Sequence, residues 1–163
     1  MKRIASVVVW IGVAVAIGLA RQAAAPPPAP PAPPPGSPGT FKSASELAEV
    51  LRTASPTAAG MTTSPVSNTD QYRINLVHRS KPAGALAHAG NTELHYIVEG
   101  SGTVVTGGTI VRGEGTGATI QGGESRRVVK GDVIVIPANS PHWYSAVDGE
   151  ITYLEVRWLA PQK

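Results

Sequence analysis

From residue 71 to residue 160 the chain never runs long without a break. Nine short segments rich in Val, Ile, Thr and Tyr (YRINLVH, GALAH, LHYIVEG, GTVVT, TIVRG, SRRVV, DVIVI, HWYSAV and EITYLEVRW) are cut by Gly, Pro or Asp-Gly. Such runs suit a pleated, half-buried surface, and no helical period separates them. Strands that follow one another without intervening helices close into a sandwich or a barrel. An all-β fold is therefore expected. Gly107-Gly108 and Asp148-Gly149 predict tight hairpins, because they tolerate the positive φ that such turns require. No internal repeat of about 20–50 residues is visible.

The 70 residues before these strands divide into three parts. Residues 41–70 form a lead-in. Ser43-Ala44-Ser45-Glu46 is a capping-box start, with Leu47, Val50 and Leu51 at helical spacing, so a short helix is expected over about 44–54. Pro56, Gly60 and Pro65 then predict an irregular stretch. Residues 26–40 hold nine of the fifteen prolines and read as a solvated polyproline linker, about 45 Å long if fully extended. Residues 1–25 read as an export signal. Lys2 and Arg3 precede the uncharged, largely apolar run of residues 4–20, and Ala23-Ala24-Ala25 offers a small-x-small cleavage site. That run lies between signal and anchor lengths. The expectation is thus a periplasmic or cell-envelope domain, released by cleavage or anchored by residues 4–20. An uncleaved segment of this kind would be its only contact with a membrane.

Charge excludes one large class of partner. The chain has 14 Lys+Arg against 11 Asp+Glu, but Lys2, Arg3 and Arg21 lie in the export segment, so the rest is balanced. A nucleic-acid footprint needs clustered basic residues on the folded domain, and none are in excess. With no cysteine there is no disulfide scaffold, thiol nucleophile or thiolate zinc site. Gly113 to Ala118 matches a loose G-x-G-x-x-A string, but no helix follows it, so it is read as a glycine-rich hairpin rather than a dinucleotide loop. No G-x-S-x-G nucleophile elbow or phosphate loop occurs.

Two clusters concentrate the chemistry-bearing residues. In GALAHAGNTELHYIVEGSG, His88 is followed by Glu93, His95 and Gly100; in GDVIVIPANSPH, Gly131 is followed by Pro137 and His142. Together they resemble the two signature motifs of the cupin superfamily. The resemblance covers about residues 71–160 and implies a double-stranded β-helix, or jelly-roll barrel, with the short helix before it. It also implies one divalent metal, held in the family by two histidines and a glutamate from the first motif and a histidine from the second. Here Leu86 stands where the first of those histidines belongs, Asn139 at the second motif's glycine and Ala146 at its terminal asparagine. The implied ligands that remain are His88, Glu93 and His142, a two-histidine, one-carboxylate set with open positions. The expected cofactor is one of Fe, Mn, Zn, Ni or Cu.

His95 lies two residues from Glu93 on the same strand, so both face the same way. It is a candidate replacement ligand or catalytic proton carrier, or else a pocket-lining imidazole. Arg73, Asn75, Tyr144, Tyr153 and Arg157 are candidates for the barrel interior by the same alternation, and an inward arginine would favour an anionic ligand. His78 fits neither motif. Trp143 should turn away from His142, toward an intersheet layer or a second subunit. The resemblance also admits a homodimer through sheet edges.

The leading functional expectation is a metal-dependent enzyme acting on a small organic molecule. The resemblance allows dioxygenase, isomerase or lyase chemistry. The competing expectation is a non-catalytic module that binds or senses a small ligand.

Overall fold

The computed structural model describes residues 31, 34–58, 60–113 and 117–161. The expected export segment lies outside them, and among the described residues no helix is long and apolar enough to cross a membrane. Of the linker, residues 31 and 34–40 are described. They include a turn in which the Ser37 amide donates to the Pro34 carbonyl at 3.1 Å, with Gly36 at φ 82°, so this part is not a continuous extended spacer.

The helix α1 spans Ala44–Thr53, and its capping box forms as the sequence predicts: the Glu46 amide donates to Ser43 Oγ, and the Ser43 amide donates to the Glu46 carboxylate at 2.8 Å. Its Leu47 and Leu51 are only half-buried, where the helix lies against the first two strands. Eight strands follow: β1 (Met61–Asn68), β2 (Tyr72–Arg79), β3 (Asn91–Thr106), β4 (Thr109–Val111), β5 (Thr119–Gln121), β6 (Glu124–Val129), β7 (Val133–Ile136) and β8 (His142–Leu159).

β1 corrects the expectation of an irregular lead-in. It pairs antiparallel with β2, and the register slips between Pro65 and Ser67. Proline has no amide to donate, which confines it to edges and bulges. β1 is the sheet edge and its slip falls at Pro65, so the residue that argued against a strand is accommodated there.

The sheet runs in the order β1-β2-β8-β3-β6, with β7 also pairing β3, while β4 and β5 form a separate hairpin. β3 and β8 pair from Asn91↔Leu159 to Thr106↔His142. Each joins two segments that the sequence pattern kept apart. Asp148-Gly149 is consequently not a hairpin turn. It lies in a bulge of β8, opposite the register shift between Gly100 and Gly102 of β3. Gly100 (φ 78°) and Gly149 (φ 78°) absorb the distortion, and a Cβ on Gly100 would collide with the Glu150 carbonyl. Bulges of this kind bend both strands, and this one divides them into two halves. β7 borders the first half of β3 and β6 the second.

The bend lets inward faces from distant strands converge. Val77, Ile97, Val104, Val128, Tyr144, Ile151 and Tyr153 form one buried cluster drawn from β2, β3, β6 and β8. Gly107-Gly108, both at positive φ (74° and 71°), turn the chain from β3 into β4. The two strands do not pair with each other, because β4 leaves the main sheet to pair with β5, so the expected hairpin at this turn is not formed. β4 and β5 pair antiparallel on either side of the glycine-rich string, whose residues 114–116 lie outside the described residues. GALAH, expected as a strand, is a loop whose one ladder contact among the described residues is the bridge Leu86↔His142. Ala-Leu-Ala offers little β-branched surface to hold a longer pairing.

Candidate metal centre

Backbone pairing brings the two histidine clusters together. The His142 amide donates to the Leu86 carbonyl at 2.8 Å, and the Leu86 amide returns a bond to the His142 carbonyl at 3.1 Å. One turn away, the Asn139 amide donates to the His88 carbonyl at 3.2 Å, and the Gly90 amide donates to Asn139 Oδ1 at 3.0 Å. Asn139 has φ 66°. It occupies the position where the resemblance calls for glycine, and asparagine is among the few residues that tolerate left-handed backbone. This departure from the motif therefore keeps the turn and adds a side-chain clamp on the His88 loop.

These contacts gather His88, Glu93 and His142. One ligand atom from each lies within 4.8 Å of the others, so the group can hold a metal ion. His88 Nε2 is 3.4 Å from Glu93 Oε1, and His142 Nε2 is 3.7 Å from Glu93 Oε2. Atoms sharing one ion at ordinary bond lengths are separated by roughly 3–3.5 Å. Glu93 is 1 % exposed, and its Oε1 has no hydrogen-bond partner. A buried carboxylate oxygen without a donor is costly, and a cation between it and the imidazoles would satisfy it. The donor set thus fits a divalent ion.

Protonation favours the same conclusion. Burial pushes the pKa values of His88 and His142 below the ordinary histidine value, toward the neutral form that ligates. Burial also raises that of Glu93, but the hydrogen bond from His95 and the fields of His142, Arg157 and His88 more than reverse this, so the group stays ionised. Arg157 approaches Glu93 Oε1 at 3.6 Å as an ion pair without a hydrogen bond.

His95 is 2 % exposed and lies beside this group rather than in it. Its Nε2 is 3.3 Å from Glu93 Oε2 and its Nδ1 is 3.2 Å from the Tyr144 hydroxyl. An ionised carboxylate only accepts, so Nε2 carries a proton toward Glu93. Nε2 therefore offers Glu93 an N–H instead of a lone pair. His95 also falls in a second cluster with Glu93 and Glu155. Leu86, at the missing histidine's position, contributes an apolar side chain to the same region.

A cavity of about 470 Å³ opens beside the cluster. His88, His95 and His142 form part of its wall, whereas the almost fully buried Glu93 lies behind them. Of the interior candidates, Asn75, Tyr144, Tyr153 and Arg157 line this cavity, and Arg73 does not: it is exposed near the start of β2. Trp143, expected to turn away, also reaches the cavity wall, with its indole N–H buried and unpartnered. His78 lies outside, against Thr152 and Glu150. Sequence reasoning missed Arg79 and Glu155 in the wall. The signal was present, since they extend the inward rows Asn75-Val77-Arg79 and Tyr153-Glu155-Arg157 by simple alternation.

Solved structures share the fold at low identity. KdgF from Halomonas sp. matches with a TM-score of 0.52 and 17 % identity, over 66 % of this chain and 86 % of that one. TT1209 from Thermus thermophilus matches with a TM-score of 0.52 and 18 % identity, over 76 % and 100 %. Hydroxypropylphosphonic acid epoxidase from S. wedmorenis matches with a TM-score of 0.51 and 12 % identity, over 63 % and 53 %. No curated protein matches the chain significantly. The model of the Cupin family matches residues 53–154, more than half of the sequence, and with the barrel and both motif regions in place the chain belongs to the cupin superfamily.

Proposed function

We propose that the chain is an exported, metal-dependent cupin enzyme acting on a small organic molecule. The observation that carries the proposal is Glu93, buried, ionised and with an oxygen lacking a donor, set between His88 and His142 beside an open cavity. His88, Glu93 and His142 would hold one first-row divalent ion. Such an ion supplies Lewis-acid polarisation of a bound oxygen, or dioxygen chemistry if it is iron. The protein's own contribution is positional. Tyr144 and Glu93 engage both ring nitrogens of His95, so a proton that His95 moves would pass along the Glu93–His95–Tyr144 chain, whose Tyr144 end also lines the cavity. Dioxygenase, isomerase and lyase chemistries all fit this arrangement. The barrel is no obstacle to catalysis, since hydroxypropylphosphonic acid epoxidase is built on it.

Elemental analysis of the purified protein tests the metal directly. About one equivalent is expected, and less than a tenth of an equivalent after reconstitution with each metal would overturn the reading. Turnover should then be sought among sugars, keto acids, diketones and phenolics, with and without oxygen.

Export is part of the proposal and rests on residues 1–25 alone. Cell fractionation tests it, because a cytosolic product that keeps Met1 would contradict it. A second reading, a non-catalytic binding module, is favoured by Leu86 at the position of the fourth family ligand. Ligand-induced thermal shifts that survive chelation, without product from any substrate, would decide for that module. A homodimer also belongs to the proposal. Tyr96, Val133 and Val135 are 42 %, 57 % and 57 % exposed, and β3 and β7 pair Tyr96 with Val133 and Leu94 with Val135, so a second copy would cover one continuous apolar face at this sheet border.

A further inference from the structure

We propose that Arg79 is an anion-binding subsite of the cavity, and that the molecule bound there carries a carboxylate. This rests on reading the cavity as a small-molecule site and names the class of molecule. Arg79 ends the inward row of β2, is only 9 % exposed and forms part of the cavity wall. Its Nε donates to the Tyr153 hydroxyl at 2.9 Å. Its Nη1 is buried without a hydrogen-bond partner, and no carboxylate among the described residues lies within ion-pair distance of it. The guanidinium lies 5.5 Å from the Tyr144 ring centroid and 5.9 Å from that of Tyr153, and neither ring neutralises it.

The other arginine of the cavity wall has carboxylates beside it. Arg157 donates to Glu155 at 3.1 Å and faces Glu93, and Asn75 donates to the second Glu155 oxygen at 3.1 Å. Arg79 is therefore the arginine of this wall that has no carboxylate in contact among the described residues. Arginine cannot lose its proton to relieve burial, so an anion from outside is the remaining partner. A single planar guanidinium with free donors matches a carboxylate, whereas a phosphate dianion calls for more positive charge than this wall offers. Arg79 and the three histidines line one cavity, so a carboxylate held at Arg79 leaves the rest of the molecule facing His88, His95 and His142.

The test uses the full chain, first stripped of metal by a chelator, with acetate, pyruvate, succinate, neutral succinamide and inorganic phosphate as probes. Calorimetry should show at least one carboxylate binding, with succinamide weaker than succinate by roughly tenfold or more. Arg79→Met should weaken that carboxylate by a similar factor and leave zinc binding unchanged. His142→Ala should do the reverse, so failure of the metal centre and failure of this subsite are distinguishable. Equal carboxylate affinity in wild type and Arg79→Met, equal binding of succinamide, or tighter binding of phosphate would each overturn the proposal. If Arg79→Met does not fold, the arginine side-chain NMR signals of the wild type decide. A carboxylate-induced shift of the buried guanidinium supports the subsite, and its absence across the panel refutes it.

Discussion

His142 Nδ1 lies 3.1 Å from the Ser140 carbonyl oxygen, and that contact fixes which ring nitrogen faces Glu93. A carbonyl only accepts, so Nδ1 carries the proton and the Nε2 lone pair points toward the carboxylate. Two electron-rich atoms 3.7 Å apart in a buried site call for a cation between them. Glu93→Gln keeps the shape and removes the charge. It should weaken metal binding by more than the roughly 10–100-fold typical of an outer hydrogen-bond partner. Competition against a chromogenic chelator measures this, and unchanged affinity would exclude Glu93 as a ligand.

Acid should destabilise the metal-free protein in two stages. His88 and His142 have folded pKa values below the ordinary 6.5, so the unfolded chain binds more protons as soon as the pH drops below 6.5. Their contribution is intact above that value and declines as pH falls from 6.5 through the folded values. Glu93, lowered from 4.5, adds a second loss as pH falls below 4.5 through its folded value. Chemical denaturation in the presence of a chelator, carried from above the ordinary histidine value to well below the ordinary glutamate value, follows both stages. In His142→Ala the first stage should shrink.

Asn139 combines a left-handed backbone with the bond that holds the His88 loop, and these separate by mutation. Asn139→Gly keeps the backbone and loses the Gly90 contact, for a cost of about 1 kcal/mol. Asn139→Ala also meets the steric penalty of positive φ and should cost about 1 kcal/mol more. Thermal unfolding ranks the three proteins. Both variants should bind metal more weakly than wild type, because the loop that carries His88 is no longer tied.

The proposed dimer predicts that charge at the centre of the apolar border separates the subunits. Tyr96→Glu with Val133→Lys should yield monomer in sedimentation equilibrium, while metal content stays unchanged because both side chains face away from the buried Glu93 and His95. A wild type that is monomeric at high concentration would end the dimer proposal.

Three devices were legible in the chain itself. The α1 cap depends on residues three apart, the β class on residue type and alternation, and the His88, Glu93 and His142 set on spacings that the cupin motifs share. The cap and the β class are short-range patterns that the structure realises locally. The ligand set combines two such patterns, about fifty residues apart, which backbone pairing brings together. Four other features were settled by strand pairing. Pro65 could join a strand because β1 lies at an edge. Asp148-Gly149 became a bulge rather than a turn because β3 runs alongside β8 on both sides of it. Arg79 and Glu155 share their inward parity with known interior candidates, but parity does not say which face closes around a cavity or how far along a strand that face stays buried. His95, by sequence a candidate ligand, proton carrier or pocket-lining imidazole, meets the Tyr144 hydroxyl and the Glu93 carboxylate, two contacts that come from two strands. Local chemistry chose the elements and the donor types. Register between strands distant in sequence chose which of those donors meet, because a one-residue slip would turn every one of them to the opposite face.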